Sequence, residues 1–195
     1  MGTGPSRVPG SVLERGDDLA NNRSVSMTKK NYRVVTAGLE FPEGPIAMSD
    51  GSIILVEIKR GTLTRVLPSG TQEVVAELGG GPNGIAIGPG GKCYVCNNGG
   101  FDWHTDTAGN RPTLQPTNYS GGRIEMVDLD TGVVEVLYTE VDGVSLSGPN
   151  DIVFDGQGGF YFSDLGKVRR HDQDRGRVLY AKADGSFIGT LAAPV

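Results

Sequence analysis

Pro149-Asn150-Asp151-Ile152-Val153-Phe154-Asp155-Gly156-Gln157-Gly158-Gly159-Phe160-Tyr161-Phe162-Ser163 is the stretch from which the fold can be read. A Pro-polar step opens it, a short apolar run follows, a glycine-bearing turn reverses the chain, and a second apolar run returns. The same pattern stands at Pro42-Glu43-Gly44-Pro45-Ile46, with the turn Ser49-Asp50-Gly51 and the second run Ile53-Ile54-Leu55-Val56. It stands again at Pro82-Asn83-Gly84-Ile85-Ala86, with Gly88-Pro89-Gly90-Gly91 and Cys93-Tyr94-Val95-Cys96. Tyr94 lies as far beyond Pro82 as Tyr161 lies beyond Pro149, and Pro42 and Pro82 are 40 residues apart. That spacing is the period of a β-propeller blade. A propeller gathers the inner strands of its blades around one axis, so the polar residues heading the copies, Glu43, Asn83 and Asn150, are expected to share a central site.

Composition agrees with an all-β chain. The 195 residues include 31 glycines, set among short β-branched runs, a mixture that suits turns and strands better than a helical bundle. The net charge of −5 is made of interspersed signs, with no basic stripe and no alternation of aromatic with basic residues, which argues against a nucleic-acid partner. No apolar run is long enough to span a bilayer, and the N-terminus lacks the apolar segment of a secretory signal. The expected location is therefore cytoplasmic, with no membrane partner, and the sequons Asn22-Arg23-Ser24 and Asn118-Tyr119-Ser120 carry no weight. Cys93 and Cys96 form a lone C-x-x-C inside an apolar strand. Neither His104 nor His171 completes a zinc set, and residues three apart on a strand face opposite sides, so the reading is two packed thiols.

Residues 1–30 have little apolar periodicity and read as a disordered leader. Residues 31–195 read as a partial propeller, with Tyr32-Arg33-Val34-Val35 as an outer strand. The first blade is expected to hold strands at 44–48, 53–58, 62–67 and 72–76. The second starts at Pro82, and its alternation stops from Gly99 to Gly122, a structureless insertion that either covers one mouth of the propeller or is a tolerated surface loop. It resumes at Arg123-Ile124-Glu125-Met126-Val127 and Val133-Val134-Glu135-Val136-Leu137-Tyr138. The third starts at Pro149 and ends with outer strands at 177–181 and 187–191. No helix is expected in residues 31–195. Since propellers have roughly four to eight blades, the expectation is an incomplete arc of three to four blades. Such an arc would expose apolar blade faces at both ends, self-associate through them, and be unstable or inactive alone.

Two glycine-rich stretches carry no chemistry. Gly79-Gly80-Gly81-Pro82-Asn83-Gly84 lacks the Gly-Lys-Ser/Thr of a phosphate loop, and Gly143-Val144-Ser145-Leu146-Ser147-Gly148 misses the nucleophile elbow by one position. Glu43 is the sharper feature. Pro42 and Gly44-Pro45 fix the direction of a carboxylate that strands ordinarily avoid, and a hard divalent cation is one partner for it; a solvated blade-edge glutamate is the other reading. At Asn150-Asp151, alternation sends one residue to the channel and the other away; register with Glu43 and Asn83 makes Asn150 the channel residue and leaves Asp151 to cap the turn. Asn83 and Asn98 add polar atoms to the same mouth, whereas Asp164, Asp172 and Asp174 read as turn residues.

These motifs, with Phe41-Pro42-Glu43-Gly44-Pro45, Gly81-Pro82-Asn83-Gly84-Ile85-Ala86, Gly148-Pro149-Asn150-Asp151-Ile152-Val153-Phe154-Asp155, Tyr94-Val95-Cys96-Asn97-Asn98-Gly99-Gly100 and Gly159-Phe160-Tyr161-Phe162-Ser163-Asp164, resemble the senescence marker protein / gluconolactonase / luciferin-regenerating enzyme family over residues 31–195. The resemblance covers the family's N-terminal half. It implies a six-bladed propeller with one divalent metal in the central channel, most often calcium, with zinc, magnesium or manganese as alternatives. It implies hydrolysis of lactones, typically sugar lactones, and of organophosphate esters in some relatives. By the same resemblance Glu43 is a metal ligand, and Asn150, in the catalytic N-D step with Asp151, is a ligand and substrate contact; Asn83 and Asn98, placed at the mouth by the reading of the residues, are expected to contact the substrate with it. Two further ligands, an Asn in a later P-N-G step and an Asp in the blade after it, have no counterpart in the sequence. The competing expectation is a non-catalytic propeller that presents its loops to a partner.

Overall fold

The computed structural model describes residues 1 and 32–194; the expected leader and Asn22-Arg23-Ser24 lie outside them. Blade one is the antiparallel sheet β1 (Pro42–Ala47), β2 (Ile53–Glu57), β3 (Thr62–Val66) and β4 (Gln72–Glu77), in that spatial order. Blade two begins with β5 (Pro82–Ile87) and β6 (Cys93–Asn97). A separate hairpin follows, β7 (Trp103–Asp106) with β8 (Gly109–Pro112), before the blade is completed by β9 (Arg123–Val127) and β10 (Val134–Tyr138). A two-residue pair, β11 (Glu140–Val141) with β12 (Val144–Ser145), leads to blade three. That blade is β13 (Pro149–Phe154), β14 (Gly159–Asp164), β15 (Arg177–Lys182) and β16 (Ile188–Ala192). The one helical element among the described residues is the 3-10 turn Pro89–Gly91. The chain is thus all-β, three four-stranded antiparallel blades with the inner strands expected from the repeat.

Strand β6 shows why the blades stack. All five of its residues are buried, because blade two is covered on both faces and a period-two strand sends its side chains to each in turn. Cys93 and Val95 join Ile54, Val56, Leu63, Ile85 and Val127 between blades one and two. Tyr94 and Cys96 join Ile124, Ile152, Phe160, Phe162 and Leu179 between blades two and three. The two cysteines are free and point into different cores, which matches the packed-thiol reading.

The exposed apolar face expected at both ends of the arc is present on blade three, where Val153, Tyr161 and Leu191 are all more than a third exposed. On blade one Leu55 and Val66 are buried, beside a polar cluster in which Thr64 donates to Glu57 Oε1 at 2.8 Å. Residues 32–35 are not a strand. Their neighbours meet blade one through side chains instead: Thr36 Oγ1 donates to the Gly70 carbonyl, and Gln72 Nε2 to the Ala37 carbonyl.

Candidate active site

The three inner strands carry the same irregularity at the same place. Pro42 pairs with Glu57, Pro82 with Asn97 and Pro149 with Asp164; the next regular pairs are Ile46 with Ile54, Ile85 with Val95 and Ile152 with Phe162. Each inner strand therefore carries a bulge next to its polar head, which interrupts the pleat and re-aims side chains.

Behind each bulge stands a buried polar residue at the end of the second strand. Glu57, Asn97 and Asp164 are at most 1% exposed. The amides one or two residues before each proline lie ahead of the inner strand, outside its ladder, and such donors need another acceptor. Glu57 Oε2 accepts the Glu40 N–H at 2.6 Å, Asn97 Oδ1 accepts that of Gly81 at 2.9 Å, and the Asp164 carboxylate accepts those of Ser147 and Gly148 at 3.0 and 2.6 Å. Each acceptor is tied to an arginine. Arg60 bonds Glu57, and Arg177 bonds Asp164. Arg123 bonds Glu125, which in turn accepts from Asn97 Nδ2. Asp164 is thus a structural clasp, not the turn residue its sequence position suggests. The recurring signal was an acidic or amide residue closing each second strand opposite the proline.

Glycines set the spacing of the inner strands. A side-chain carbon on Gly44 would stand 3.0 Å from Ile85 Cγ1 and 3.3 Å from the Asn83 carbonyl oxygen; one on Gly84 would stand 2.5 Å from the Asn150 carbonyl oxygen and 2.7 Å from Asp151 Oδ1. Strands β1, β5 and β13 therefore lie side by side at their heads. Glu43, Asn83, Asn150 and Asp151 line one cavity of about 280 Å³. Asp151 borders it together with Asn150, although alternation would turn one of them away; the bulge between Pro149 and Ile152 lifts that rule. Asp151 Oδ1 accepts the Ile152 N–H at 2.9 Å, a local cap of the kind expected of it. The cavity walls carry two carboxylates and two amides, an all-oxygen donor set once the amide carbonyls face inward. A larger recess of about 470 Å³ lies at the opposite end of the strands, along Arg65, Glu73 and Asp130, away from this set.

Asn98 does not line the cavity. It is 2% exposed, and its Oδ1 accepts from the Gly100 N–H and from Lys167 Nζ at 2.9 and 3.0 Å. Its amide nitrogen is buried without a partner. Lys167 is 2% exposed, donates also to the Gly100 carbonyl at 2.6 Å, and stands 3.9 Å from the centroid of the Phe101 ring. Burial brings its ammonium down to about 8. No sequence pattern marked this lysine. The insertion it holds is partly ordered as the β7–β8 hairpin, and Trp103 packs on Phe41 with ring centroids 5.1 Å apart. The insertion thus lies at the mouth where Glu43 stands. Phe41 has φ +59°, a left-handed conformation that costs a non-glycine residue about 1–2 kcal/mol. The Ile58 N–H bond to its carbonyl and the Trp103 contact hold it there.

Repeated four-stranded antiparallel blades, with their inner strands side by side, define a protein of the β-propeller class. The chain belongs to the SMP-30/gluconolactonase/LRE-like family, whose model matches residues 41–192. Its fold is shared with a gluconolactonase from Xanthomonas campestris, at 18% identity and a TM-score of 0.60, over 81% of this chain and 49% of that one. It is shared with a structural-genomics target described as a candidate gluconolactonase, at 17% and 0.57, over 81% and 50%. It is shared too with a chain of a nidogen/laminin complex, at 20% and 0.53, over 78% and 48%. The chain spans about half the length of each. No curated protein matches the sequence. Among the described residues no helix is long and apolar enough to cross a membrane.

Proposed function

We propose that the chain carries part of a lactone-hydrolysing site, with Glu43, Asn83, Asn150 and Asp151 as its polar groups. The observation that supports this most is the convergence of all four on one cavity at the bulged heads of three inner strands. Membership of a family whose name includes gluconolactonase supports the same class of reaction.

The donor set suits a hard cation. Among the described residues no three His, Cys, Asp or Glu side chains group as metal ligands, so Glu43 would hold the ion together with the amide oxygen of Asn150, and solvent would complete the six to eight oxygens, roughly, that calcium prefers. Zinc, with its preference for nitrogen and sulfur, fits this cavity less well. A divalent cation held there would supply positive charge to polarise a lactone carbonyl. Asn83 presents an amide that donates to the substrate's ring hydroxyls. Asn150 orients the ester group. Asp151, with Oδ2 free of the cap bond, accepts a proton from a water that attacks the carbonyl carbon; the ring C–O bond then breaks, and the departing alkoxide takes that proton back from Asp151 to give the open hydroxy acid.

The test is hydrolysis of D-glucono-δ-lactone followed by pH-stat above the spontaneous rate, with calcium titrated by calorimetry. Full-chain protein is expected to bind calcium weakly and to show little or no turnover alone, and Glu43→Gln to lose the calcium affinity; calcium-dependent turnover would mean that these four groups make a complete site. Calcium binding unchanged in Glu43→Gln removes the ligand role. A chain that binds no calcium at Glu43 yet binds a protein partner through its mouth loops would return the binding-propeller reading, which has no need of an acid at the channel head.

A further inference from the structure

A second recess, of about 250 Å³, opens at the same mouth between blades one and two, and its walls include Lys59, Phe101, Trp103, Asn118 and Ser120. Its chemistry is opposite to that of the Glu43 cavity: one cation, two aromatic rings, an amide and a hydroxyl, with no acid in the lining. Lys59 is held in place, because its amide donates to the Glu40 carbonyl at 3.2 Å and its Nζ to Asn110 Oδ1 at 2.7 Å and Thr105 Oγ1 at 3.4 Å. Both side-chain acceptors are neutral, so the ammonium is positioned without its charge being compensated by them. It stands 5.9 Å from the centroid of Trp103.

The rings are set in advance. Trp103 packs on Phe41 in a tilted contact, at 59° between the rings, and meets Phe101 edge-on at 6.3 Å and 81°. The Phe101 ring has the buried ammonium of Lys167 3.9 Å from its centroid. A ligand meeting these rings has little ordering cost to overcome. The two cavities are close: Phe41 precedes Glu43 by two residues, and Gly80, in the wall of the recess, precedes Asn83 by three. Chain reach then limits the Gly80–Asn83 separation to about 11 Å, the scale of one substituted sugar ring.

We propose that this recess is a second subsite of the mouth, which takes an anionic group, carboxylate or phosphate, carried by a hydroxylated ring, with Lys59 as counter-charge and Trp103 as the apolar face. Aromatic walls with a few convergent polar groups are the usual make-up of a small-molecule site, and a charge-assisted bond to a fixed ammonium gives it selectivity. The proposal rests on the lactonase reading for what occupies the neighbouring Glu43 cavity; with it, the favoured substrates are lactones that carry a further acid group.

Trp103 is the sole tryptophan of the chain, so its fluorescence reports the recess without any turnover. Full-chain protein is titrated with D-glucuronate, with D-glucose 6-phosphate and with neutral D-glucose. A saturable change in emission with either anion, at least about tenfold tighter than with glucose, is expected. A response to one anion alone assigns the subsite to that group. Lys59→Met should weaken the response about tenfold or more while the melt is kept, and Lys59→Arg should retain it. Equal affinity for glucose, no response to either anion, or an unchanged titration in Lys59→Met overturns the proposal. Glu43→Gln should leave the Trp103 titration intact. An intact titration beside calcium binding that is unchanged in Glu43→Gln would take the Glu43 cavity out of the lactonase reading and leave the subsite standing.

Discussion

The carboxylate of Asp164 accepts the backbone N–H of Gly148 at 2.6 Å, across 16 residues of sequence, and so ties the end of β14 to the lead-in of β13. It also accepts from Ser147, Gly166 and Arg177. Removing it leaves three amides and a guanidinium short of an acceptor in a site that is 1% exposed. Asp164→Ala is expected to cost about 3–5 kcal/mol, the range for breaking a buried, hydrogen-bonded ion pair, and urea unfolding followed by circular dichroism measures it. Asp164→Asn, which keeps one acceptor, should cost less.

Gly84→Ala tests the spacing of the inner strands. The added carbon would meet backbone atoms of Asn150 and Asp151 at 2.5 and 2.6 Å, which a rotamer change cannot relieve. A loss of about 1–3 kcal/mol is expected from the strand displacement. Calcium affinity should fall with it, since Asn83 and Asn150 are carried by the two strands that must part. A variant of unchanged stability and affinity would show that the heads of β5 and β13 are not held at this distance in solution.

Lys167 gives the protein a pH signature. Burial holds it near 8 in the folded chain against 10.5 for an ordinary lysine. Above about pH 8 the folded chain has shed this proton while the unfolded chain still carries it, so unfolding takes up a proton. The contribution of this site to stability therefore rises from about pH 8 toward 10.5. Lys167→Met, which fills the same space without a charge, should flatten that rise, and denaturation midpoints taken from pH 7.5 to 9.5 will show it. An identical slope in the variant would mean that the ammonium is solvated.

The two cysteines should be inert in the native protein. Burial pushes the Cys93 thiol up to about 12 and Cys96 well above its ordinary value, and both are 0% exposed. Thiolate is the reactive species. No labelling by a disulfide reagent is expected at pH 8 until denaturant is added, when two thiols should react.

How much could be read in advance follows from where each signal lies. The strands and turns of the blades were legible because alternation and glycine turns are local, and the opposite facing of Cys93 and Cys96 needs only the two-residue period. The heads Glu43, Asn83 and Asn150 were legible as a group because the repeat places them in register. Asp151 was assigned outward because alternation was carried through a bulge that local pattern does not reveal. Glu57 and Asn97 passed unmarked and Asp164 passed as a turn residue because the amides they serve lie 16 or 17 residues away. Asn98 was grouped with the channel by its nearness in sequence to β6, yet it turns toward a lysine 69 residues on. Tyr32-Arg33-Val34-Val35 looked like a strand by composition, but the residue that follows, Thr36, bonds blade one through its side chain rather than a ladder. The β7–β8 hairpin was invisible because its residues are mostly exposed and show no alternation.

Between β1 and β16 the long connections all fall at one end of the strands. Residues 98–122, 139–148 and 165–176 stand beside the heads of the inner strands, whereas the opposite end is closed by short turns with glycines in the left-handed region, at Gly51, Gly70, Gly132, Gly156 and Gly185. That plain end is a handle. A tag, a fluorophore or a surface linkage introduced between Asp184 and Ser186 would hold the molecule by the rim farthest from Glu43 and Trp103, and would present its mouth outward to whatever is passed across it.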